Sequence, residues 1–586
     1  MSSPLTIEQL RAMEKNALLN AVSHEGRADV GAVVGKSMGE SPDLRSKAAD
    51  VAKAASEVVN RVNSLSREEQ QALLEDKYPD ALKARDERRQ TQKADEKAHA
   101  AQFPPLPNAT KGHVVLRLPP EPSGYMTIGH AMAGVINAAY RDMYQGELWL
   151  RFEDTNPRKV REEYYQSFRD GYTWVGIRWD HEKNVSSDME VLYFHARRLI
   201  EMGAAYACSC PADLVKKLRM EGKACEHRGR SVEANVAVWD GMLARKYKEG
   251  EWVIRLKGDM ADLDHSLRDP NILRVIGASH PMVGSKYVVW PVYDFEVVVE
   301  DKLCGVTHIL RSSEFHVSLQ DKIRDLLGFP AVVVEQFSRF NFKGTPVSKR
   351  LLRPLVEEKV VTGWDDPRMP TIEGVKRRGI VPEAIRQFTL QVGYGKTEHT
   401  YDWSLLFAVN RKILDPISLR VFFVPNPLLL KVKGAPSRDL SLQFHPTYDT
   451  LGKRDVAVPS NPNLWIPHAD VSALKEGEVF RLMDLYNVRL SKRGKVSQAE
   501  FVGDERLQEL RKVQWVVDDA DKREVKVLEP AELYLEDEKP NPDSLKVRKG
   551  YAEAAFSDLA QGDIVQFPRY GFVRIDGPGR CVLAHP

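Results

Sequence analysis

The chain has 586 residues, 42% of them apolar, with 85 Lys+Arg against 83 Asp+Glu and five cysteines. That length predicts several domains with ordinary cores, and the near-zero charge balance excludes a global electrostatic attraction to nucleic acid, so any RNA contact must come from local basic patches. The cysteines are too few for a disulfide scaffold, no apolar run approaches the ~18 residues of a membrane span, and no charged-then-apolar leader is seen; a cytoplasmic protein is expected.

Residues 1–100 read as helical. Ala, Val and Leu recur at helix spacing over 44–65, and Ser66-Arg-Glu-Glu69 has the pattern of a helix start with an acidic first turn. Segment 80–100 is dense in both charges and poor in large apolar residues, as a solvated linker helix would be. Phe103-Pro-Pro-Leu-Pro107 marks a boundary. From 111 to 350, strand-like runs at 114–116, 147–151, 287–292, 305–310 and 331–334 alternate with helical stretches, which predicts α/β structure around a parallel sheet. Segment 201–286 breaks that rhythm and carries Cys208, Cys210 and Cys225, as an insertion would. Residues 351–413 read as helical again. From 414 to 586, short strands such as 419–424, 524–528 and 563–575 alternate with Pro/Gly/Asn turns, predicting one or two β-barrels.

The most informative stretch is Arg117-Leu-Pro-Pro-Glu-Pro-Ser-Gly-Tyr-Met-Thr-Ile-Gly-His-Ala131. An apolar strand (Val114, Val115, Leu116) runs into a Pro/Gly turn, and a helix opens near Gly129 and His130. Such a turn makes a phosphate site, because free backbone N–H groups and the helix dipole face an anion. It is neither GxGxxG nor GxxxxGK[ST], which argues against a dinucleotide enzyme or a P-loop. Gly344-Thr-Pro-Val-Ser-Lys-Arg350 is a second phosphate candidate, in which Lys349 can counter charge developing on transferred phosphates. It follows Arg339-Phe-Asn-Phe342, whose backbone can lie against a base. Cys208-Ser-Cys210 and Cys225-Glu-His227 offer three thiolates and one imidazole, a tetrahedral zinc set; the alternative is buried, reduced cysteines. Cys304 and Cys581 read as small core residues.

The PPEPSGY–IGHA string resembles the HIGH signature of class I aminoacyl-tRNA synthetases in its glutamyl/glutaminyl form, and Val-Ser-Lys-Arg resembles that family's KMSKS loop. Leu150-Arg-Phe-Glu-Asp-Thr-Asn-Pro157 is similar to its R-F-[DE]-D-T-N-P block. Pro291-Val-Tyr-Asp-Phe295 and Gly305-Val-Thr-His-Ile-Leu-Arg311 resemble its Y-D-F and G-[IV]-T-H-x-L-R segments, and Trp364-Asp-Asp-Pro-Arg-Met-Pro-Thr371 its W-D-D-P-R-[ML]-P-T block. With Asn410-Arg-Lys-Ile-Leu-Asp-Pro416 and a β-rich C-terminus, nearly the whole chain resembles the archaeal-type glutamyl subgroup.

The resemblance implies a Rossmann-like catalytic domain in two halves (111–200 and 287–350) around an inserted acceptor-stem domain. It also implies an N-terminal helical domain, a helical domain along the tRNA stem and C-terminal β-barrel anticodon-binding domains. It implies Mg-ATP-dependent activation of L-glutamate and transfer to the 3′ end of tRNA(Glu), with tRNA(Gln) a further candidate acceptor. The alternatives are a glutaminyl enzyme and a catalytically silent tRNA-binding relative. By resemblance His130, Thr127, Ser348 and Lys349 serve catalysis. Pro120, Gly124, Gly129, His130, Arg339, Phe340 and Lys349 surround ATP. Arg117, Glu153, Tyr293 and Arg311 surround glutamate, with Glu153 on its ammonium. Glu121, Asp365, Arg368, Arg377 and Arg378 face tRNA, with 492–495 and 546–549 as anticodon-arm candidates. Cys208, Cys210, Cys225 and His227 hold a structural zinc, and the N-terminal helices are a candidate docking module for a protein partner.

Arg311 carries the choice of glutamate: a guanidinium fork suits a carboxylate, whereas an amide leaves the buried cation unpaired. Asp154 or Asn156 is expected to serve only as a turn or capping acid. One departure stands out. Thr127 occupies the place of the family's first signature histidine; it can donate one hydrogen bond but carries no charge.

Overall fold

A computed structural model describes residues 5–23, 26–40, 48–78, 103–312, 316–346, 349–395, 399–535 and 539–586. The chain forms two compact units, one of residues 1–101 with 506–510, the other of 102–505 with 511–586. The first contains α1 (Ile7–Ser23), α2 (Val30–Glu40), α3 (Ala48–Asn63) and α4 (Arg67–Lys77). Val51, Ala55, Val58, Val59 and Val62 of α3 share a core with Met13, Ala17 and Leu18 of α1, the apolar stripe expected of a surface helix. α4 opens as predicted: Ser66 Oγ accepts from the Glu69 amide (3.2 Å) while the Glu69 carboxylate accepts from the Ser66 amide (2.8 Å). The charged 80–100 segment lies outside the described residues.

In the second unit, β1 (Val115–Leu118), α5 (Ile128–Tyr144), β2 (Glu147–Phe152), α6 (Glu162–Val175) and β3 (His181–Asn184) build a parallel sheet of order β1-β2-β3. α7 (Met189–Glu201) leads into the insertion: β4 (Ala205–Cys208), α8 (Ala212–Glu221), α9 (Val232–Leu243), β5 (Val253–Leu256), β6 (Asn271–Val275) and β7 (Val289–Pro291). α10 (Tyr293–Leu303) returns to β8 (His308–Ser312), followed by α11 (Val317–Leu327) and β9 (Val333–Phe337), parallel to β8. The Thr307 amide donates to Val115 O (3.1 Å) and the Val115 amide to the Thr307 hydroxyl (2.9 Å), laying β8 beside β1. The order β3-β2-β1-β8-β9 is doubly wound, and its direction of winding switches between β1 and β8. Ligands of such sheets bind in the crevice at the carboxyl ends of the strands there.

One sequence expectation is corrected. The run at 287–292 does not join the parallel sheet; β7 pairs antiparallel with β6 at the edge of the insertion sheet β4-β5-β6-β7. Val289 and Trp290 are fully buried, and an apolar run of that length reads alike in either sheet.

Beyond lie β10 (Phe340–Phe342), α12 (Lys349–Glu357), α13 (Ile372–Arg378), α14 (Pro382–Val392), β11 (His399–Tyr401) and α15 (Trp403–Leu414). β11 pairs with β10, so the region read as helical contains one strand. The β-rich remainder forms a seven-stranded and a six-stranded sheet with a smaller two-stranded one. The run at 563–575 resolves into a hairpin of Ile564–Phe567 and Gly571–Gly577. Among the described residues no helix is long and apolar enough to cross a membrane.

Candidate active site

The signature turn leaves the end of β1 and enters α5 with Thr127 as N-cap, in extended conformation. The Thr127 amide donates to His130 Nδ1 (3.2 Å), and the Thr127 hydroxyl lies 2.8 Å from the same nitrogen. A nitrogen that accepts from an amide carries the lone pair, so the neutral ring keeps its proton on Nε2. The ring stands edge-on to Phe168 at 5.0 Å.

The turn is held from several sides. The Ile128 amide donates to Pro370 O (2.8 Å), the Ile372 amide to Met126 O (2.9 Å) and the Glu153 amide to Pro120 O (3.0 Å). Arg353 of α12 donates to Ser123 O (3.1 Å). Met126 is fully buried against Gly171, where any Cβ would run into its sulfur. At Gly129 an added Cβ would meet nothing nearer than Thr127 Oγ1 at 3.8 Å, so the first turn of α5 is uncrowded on that side. Gly124 lies buried within the turn.

Of the second phosphate loop, Lys349 is the first residue of α12, and Ser348 lies outside the described residues. Arg339 is exposed. The Phe340 ring is buried in the core near Phe337 and Tyr401, so a base can meet only its backbone.

Between β1, β2 and α10 sits a buried ionic cluster. Arg117 Nε and Arg151 Nη1 reach the same oxygen of Asp301 (3.0 and 2.9 Å), and Arg151 Nη2 reaches Glu153 Oε1 (2.8 Å). Two guanidiniums and two carboxylates cancel in charge, but their donors and acceptors do not all match. Both terminal nitrogens of Arg117 and Oε2 of Glu153 are buried with no hydrogen-bond partner among the described residues. Unmatched buried groups cost about 1–3 kcal/mol each, so they call for a partner. Burial lifts Glu153 above the ordinary carboxylate range while Arg151 and Arg117 pull it back. Burial acts on Asp301 too, but there the two arginines prevail and hold it low. Glu296, accepting from the Thr155 hydroxyl, is pushed far upward by burial and by the charge of Glu153. Tyr293 lies within the field of Arg117, Glu153 and Arg311, and burial raises its hydroxyl to about 12. Arg311, at the end of β8, is buried and donates to Gln320.

Sequence reasoning missed Arg151, Glu296, Asp301 and Gln320. Arg151 stood inside the quoted β2 block, and acids in the apolar run Glu296-Val-Val-Val-Glu-Asp301 were a legible signal. Asp154 is a turn acid, as expected: it accepts from the Ser186 amide and hydroxyl (both 2.7 Å) and from Tyr165 (2.8 Å). It caps no helix; α6 begins after Arg161.

In the insertion, the ligand atoms of Cys208, Cys210, Cys225 and His227 all lie within 4.8 Å of one another. Cys208 Sγ and Cys225 Sγ are 3.8 Å apart, and Cys210 Sγ is 3.3 Å from His227 Nδ1. A tetrahedral zinc with ~2.3 Å bonds to sulfur sets its sulfurs about 3.8 Å apart, so the set fits that ion. Ser209 Oγ lies 3.0 Å from His227 Nε2, the outer contact that fixes which ring nitrogen faces the metal. Arg255 flanks Cys208 (3.8 Å) and Cys225 (3.6 Å). Cys304 and Cys581 are buried in apolar clusters.

The basic residues of the helical region sit differently from expectation. Arg368 is buried and bonded to Asp366, Ser544 Oγ and Val360 O. Arg378 donates to Ala584 O and Pro530 O and lies over the Phe407 ring. Both are therefore internal fastenings rather than surface phosphate contacts. Arg377 bridges Asp365 (3.1 Å) and Asp576 (2.9 Å). Asp365 is largely exposed and Glu121 half-exposed, the latter accepting from Ser123.

The family model for the catalytic domain of class I tRNA synthetases (E and Q) matches residues 113–416. Two models for the anti-codon binding domain of the same class match 418–503 and 512–576. The glutamate–tRNA ligase of Nitrosopumilus maritimus is 40% identical over 575 residues, 98% of each chain. Those of Pyrococcus furiosus and Cenarchaeum symbiosum are each 38% identical, covering 96% of both chains and 97% and 98% respectively. A catalytic-domain match over more than half of the chain and relatives alike over nearly their full length show that the chain belongs to the class I tRNA synthetases of the glutamate and glutamine group.

Proposed function

We propose that this protein is a glutamate–tRNA ligase, activating L-glutamate with ATP and transferring it to the 3′ end of tRNA(Glu). The observation that carries the choice of substrate is the unmatched set at the sheet's switch point. Arg117 has two donors to give, Glu153 one acceptor, and Arg311 adds a third cationic group beside Tyr293. Their complement is a molecule with an ammonium and two carboxylates. Glu153 takes the ammonium, and Arg311 takes the side-chain carboxylate, which a neutral amide would leave uncompensated.

In the first step an oxygen of the α-carboxylate attacks the α-phosphorus of ATP, the bond to the β-phosphate oxygen breaks, and pyrophosphate leaves. His130 is placed by Thr127 to donate from Nε2 to a phosphate oxygen, together with the uncrowded first turn of α5. Lys349 adds charge from the second loop. Mg²⁺ accompanying ATP supplies charge neutralisation on the phosphates. In the second step the terminal ribose hydroxyl of the tRNA attacks the activated carbonyl, loses its proton, and AMP leaves. The protein's share is positioning and charge stabilisation. Glu121, Asp365 and its neighbour Arg377 are the candidate contacts to the tRNA. Cys208, Cys210, Cys225 and His227 would hold zinc with all four positions filled, a structural rather than catalytic role.

The test is aminoacylation of purified tRNA(Glu) and tRNA(Gln) with labelled glutamate or glutamine. Glutamate on tRNA(Glu) is expected, and transfer to tRNA(Gln) defines a broader acceptor range. Charging by glutamine alone would replace this reading with the glutaminyl one, and no charging with tRNA still bound would replace it with the silent relative.

A further inference from the structure

Arg311, which is also joined to Tyr293, connects through Gln320 to Asp294. Its Nη1 donates to Gln320 Oε1 (2.8 Å), and Gln320 Nε2 donates to Asp294 Oδ1 (2.8 Å). Gln320 is 1% exposed and lies on α11. Asp294 stands in the first turn of α10, where the helix N-terminus suits its charge. An amide can present either end to a neighbour, and here the choice is forced. A carboxylate only accepts, so Asp294 fixes Nε2, and Oε1 must then face the guanidinium.

We propose that Gln320 is a positioning residue for amino-acid selection, fixing through one nitrogen the plane in which the Arg311 guanidinium meets the substrate's side-chain carboxylate. The inference rests on the glutamate-ligase reading above. A neutral acceptor suits this task. A carboxylate at position 320 would hold the same nitrogen but cancel the charge of Arg311, and with it the preference for an anionic substrate. An apolar side chain of similar length would keep the charge but lose the orientation. The amide oxygen orients the guanidinium without neutralising it, and Asp294, one link removed, keeps the amide from turning round. Asp294 lies in the Y-D-F block that opens α10, and Gln320 on α11, which follows β8, so the selector is assembled from segments that sequence patterns describe separately.

The test uses the full-length enzyme with tRNA and Mg-ATP, measuring kcat and KM for glutamate, glutamine and ATP. Gln320→Glu should raise KM for glutamate about 10–100-fold and shrink the glutamate-over-glutamine ratio by a similar factor. kcat, KM for ATP and the thermal midpoint should hold within twofold or a few degrees. Gln320→Met should raise the glutamate KM less, and Asp294→Asn less again. Adding Asp294→Asn to Gln320→Met should change nothing further, because the two act through one link. An unchanged glutamate KM in Gln320→Glu would overturn the proposal. So would a parallel loss of kcat, ATP affinity and thermal midpoint in both Gln320 variants, the mark of a scaffold residue. A wild-type enzyme that charges neither amino acid would overturn the ligase reading itself, and this inference with it.

Discussion

Two buried polar clusters occupy the second unit, and they differ in completeness. In the insertion, three sulfurs and a nitrogen converge on one point, and the groups around them, Ser209, Tyr206 and Arg255, all come from the same insertion. One metal ion would complete that set. At the switch point, Arg117, Arg151, Glu153 and Asp301 neutralise one another yet leave two donors on Arg117 and an acceptor on Glu153 without a match. Burial and charge are common to both clusters. What separates a brace from a recognition site is whether the hydrogen-bonding inventory closes within the protein.

The largest expected effect sharpens the first half of that contrast. Structural zinc contributes on the order of 10 kcal/mol in small isolated domains, so a strong chelator should raise amide exchange over 205–256 by orders of magnitude and leave 115–152 unchanged. Equal protection in both segments would remove the metal from the account. Next comes Asp301→Ala, which strands the buried Arg117 guanidinium, leaves Arg151 only Glu153, and should destabilise the protein by about 3–5 kcal/mol, seen as a lower midpoint in thermal or urea unfolding. Arg117→Ala should do the reverse. Asp301 keeps Arg151, so the fold survives, while kcat/KM for glutamate falls about 10²–10³-fold. If Arg117→Ala unfolded the protein as readily as Asp301→Ala, the division between brace and recognition site would fail.

The smallest effect concerns pH. Burial raises Glu300 to about 7, although Arg151 and Lys183 pull it down, the latter from 2.8 Å. Its ordinary value is 4.5. The folded protein therefore binds this proton more tightly than the unfolded chain. That contribution is complete below pH 4.5 and is lost as pH rises through 7. Glu300→Gln cannot titrate, so its thermal midpoint should gain a few degrees on wild type between pH 5 and pH 8. A constant difference would contradict the assignment.

Much of this was legible in the sequence because local chemistry dictated it. The Ser66–Glu69 capping box, the turn before α5 and the Cys/His set each depend on neighbours a few residues apart or on a residue type with few other uses. What escaped depends on distant partners. β7 reads like any buried strand, and only its pairing with β6 assigns it to the insertion. Arg378 looked like a phosphate contact because a basic run near a helix end usually faces solvent, and Arg368 because the block that holds it resembles a tRNA-facing segment. Arg368 is held by nearby Asp366 as well as by Ser544, and Arg378 by the carbonyls of Pro530 and Ala584, so three of these four partners lie far along the chain. The acid at Asp301 was legible in its apolar run, but its partners Arg117 and Arg151 stand on strands more than 140 residues earlier.

The central claim is that the open cluster selects glutamate, and it can be tested without tRNA. Calorimetric titration of the protein with glutamyl- and glutaminyl-sulfamoyl-adenosine, stable mimics of the two adenylates, compares the side chains in one scaffold. The account predicts that the glutamyl mimic binds about 10²-fold tighter and that Arg311→Ala abolishes the difference. Equal binding of the two mimics by the wild-type protein would contradict it.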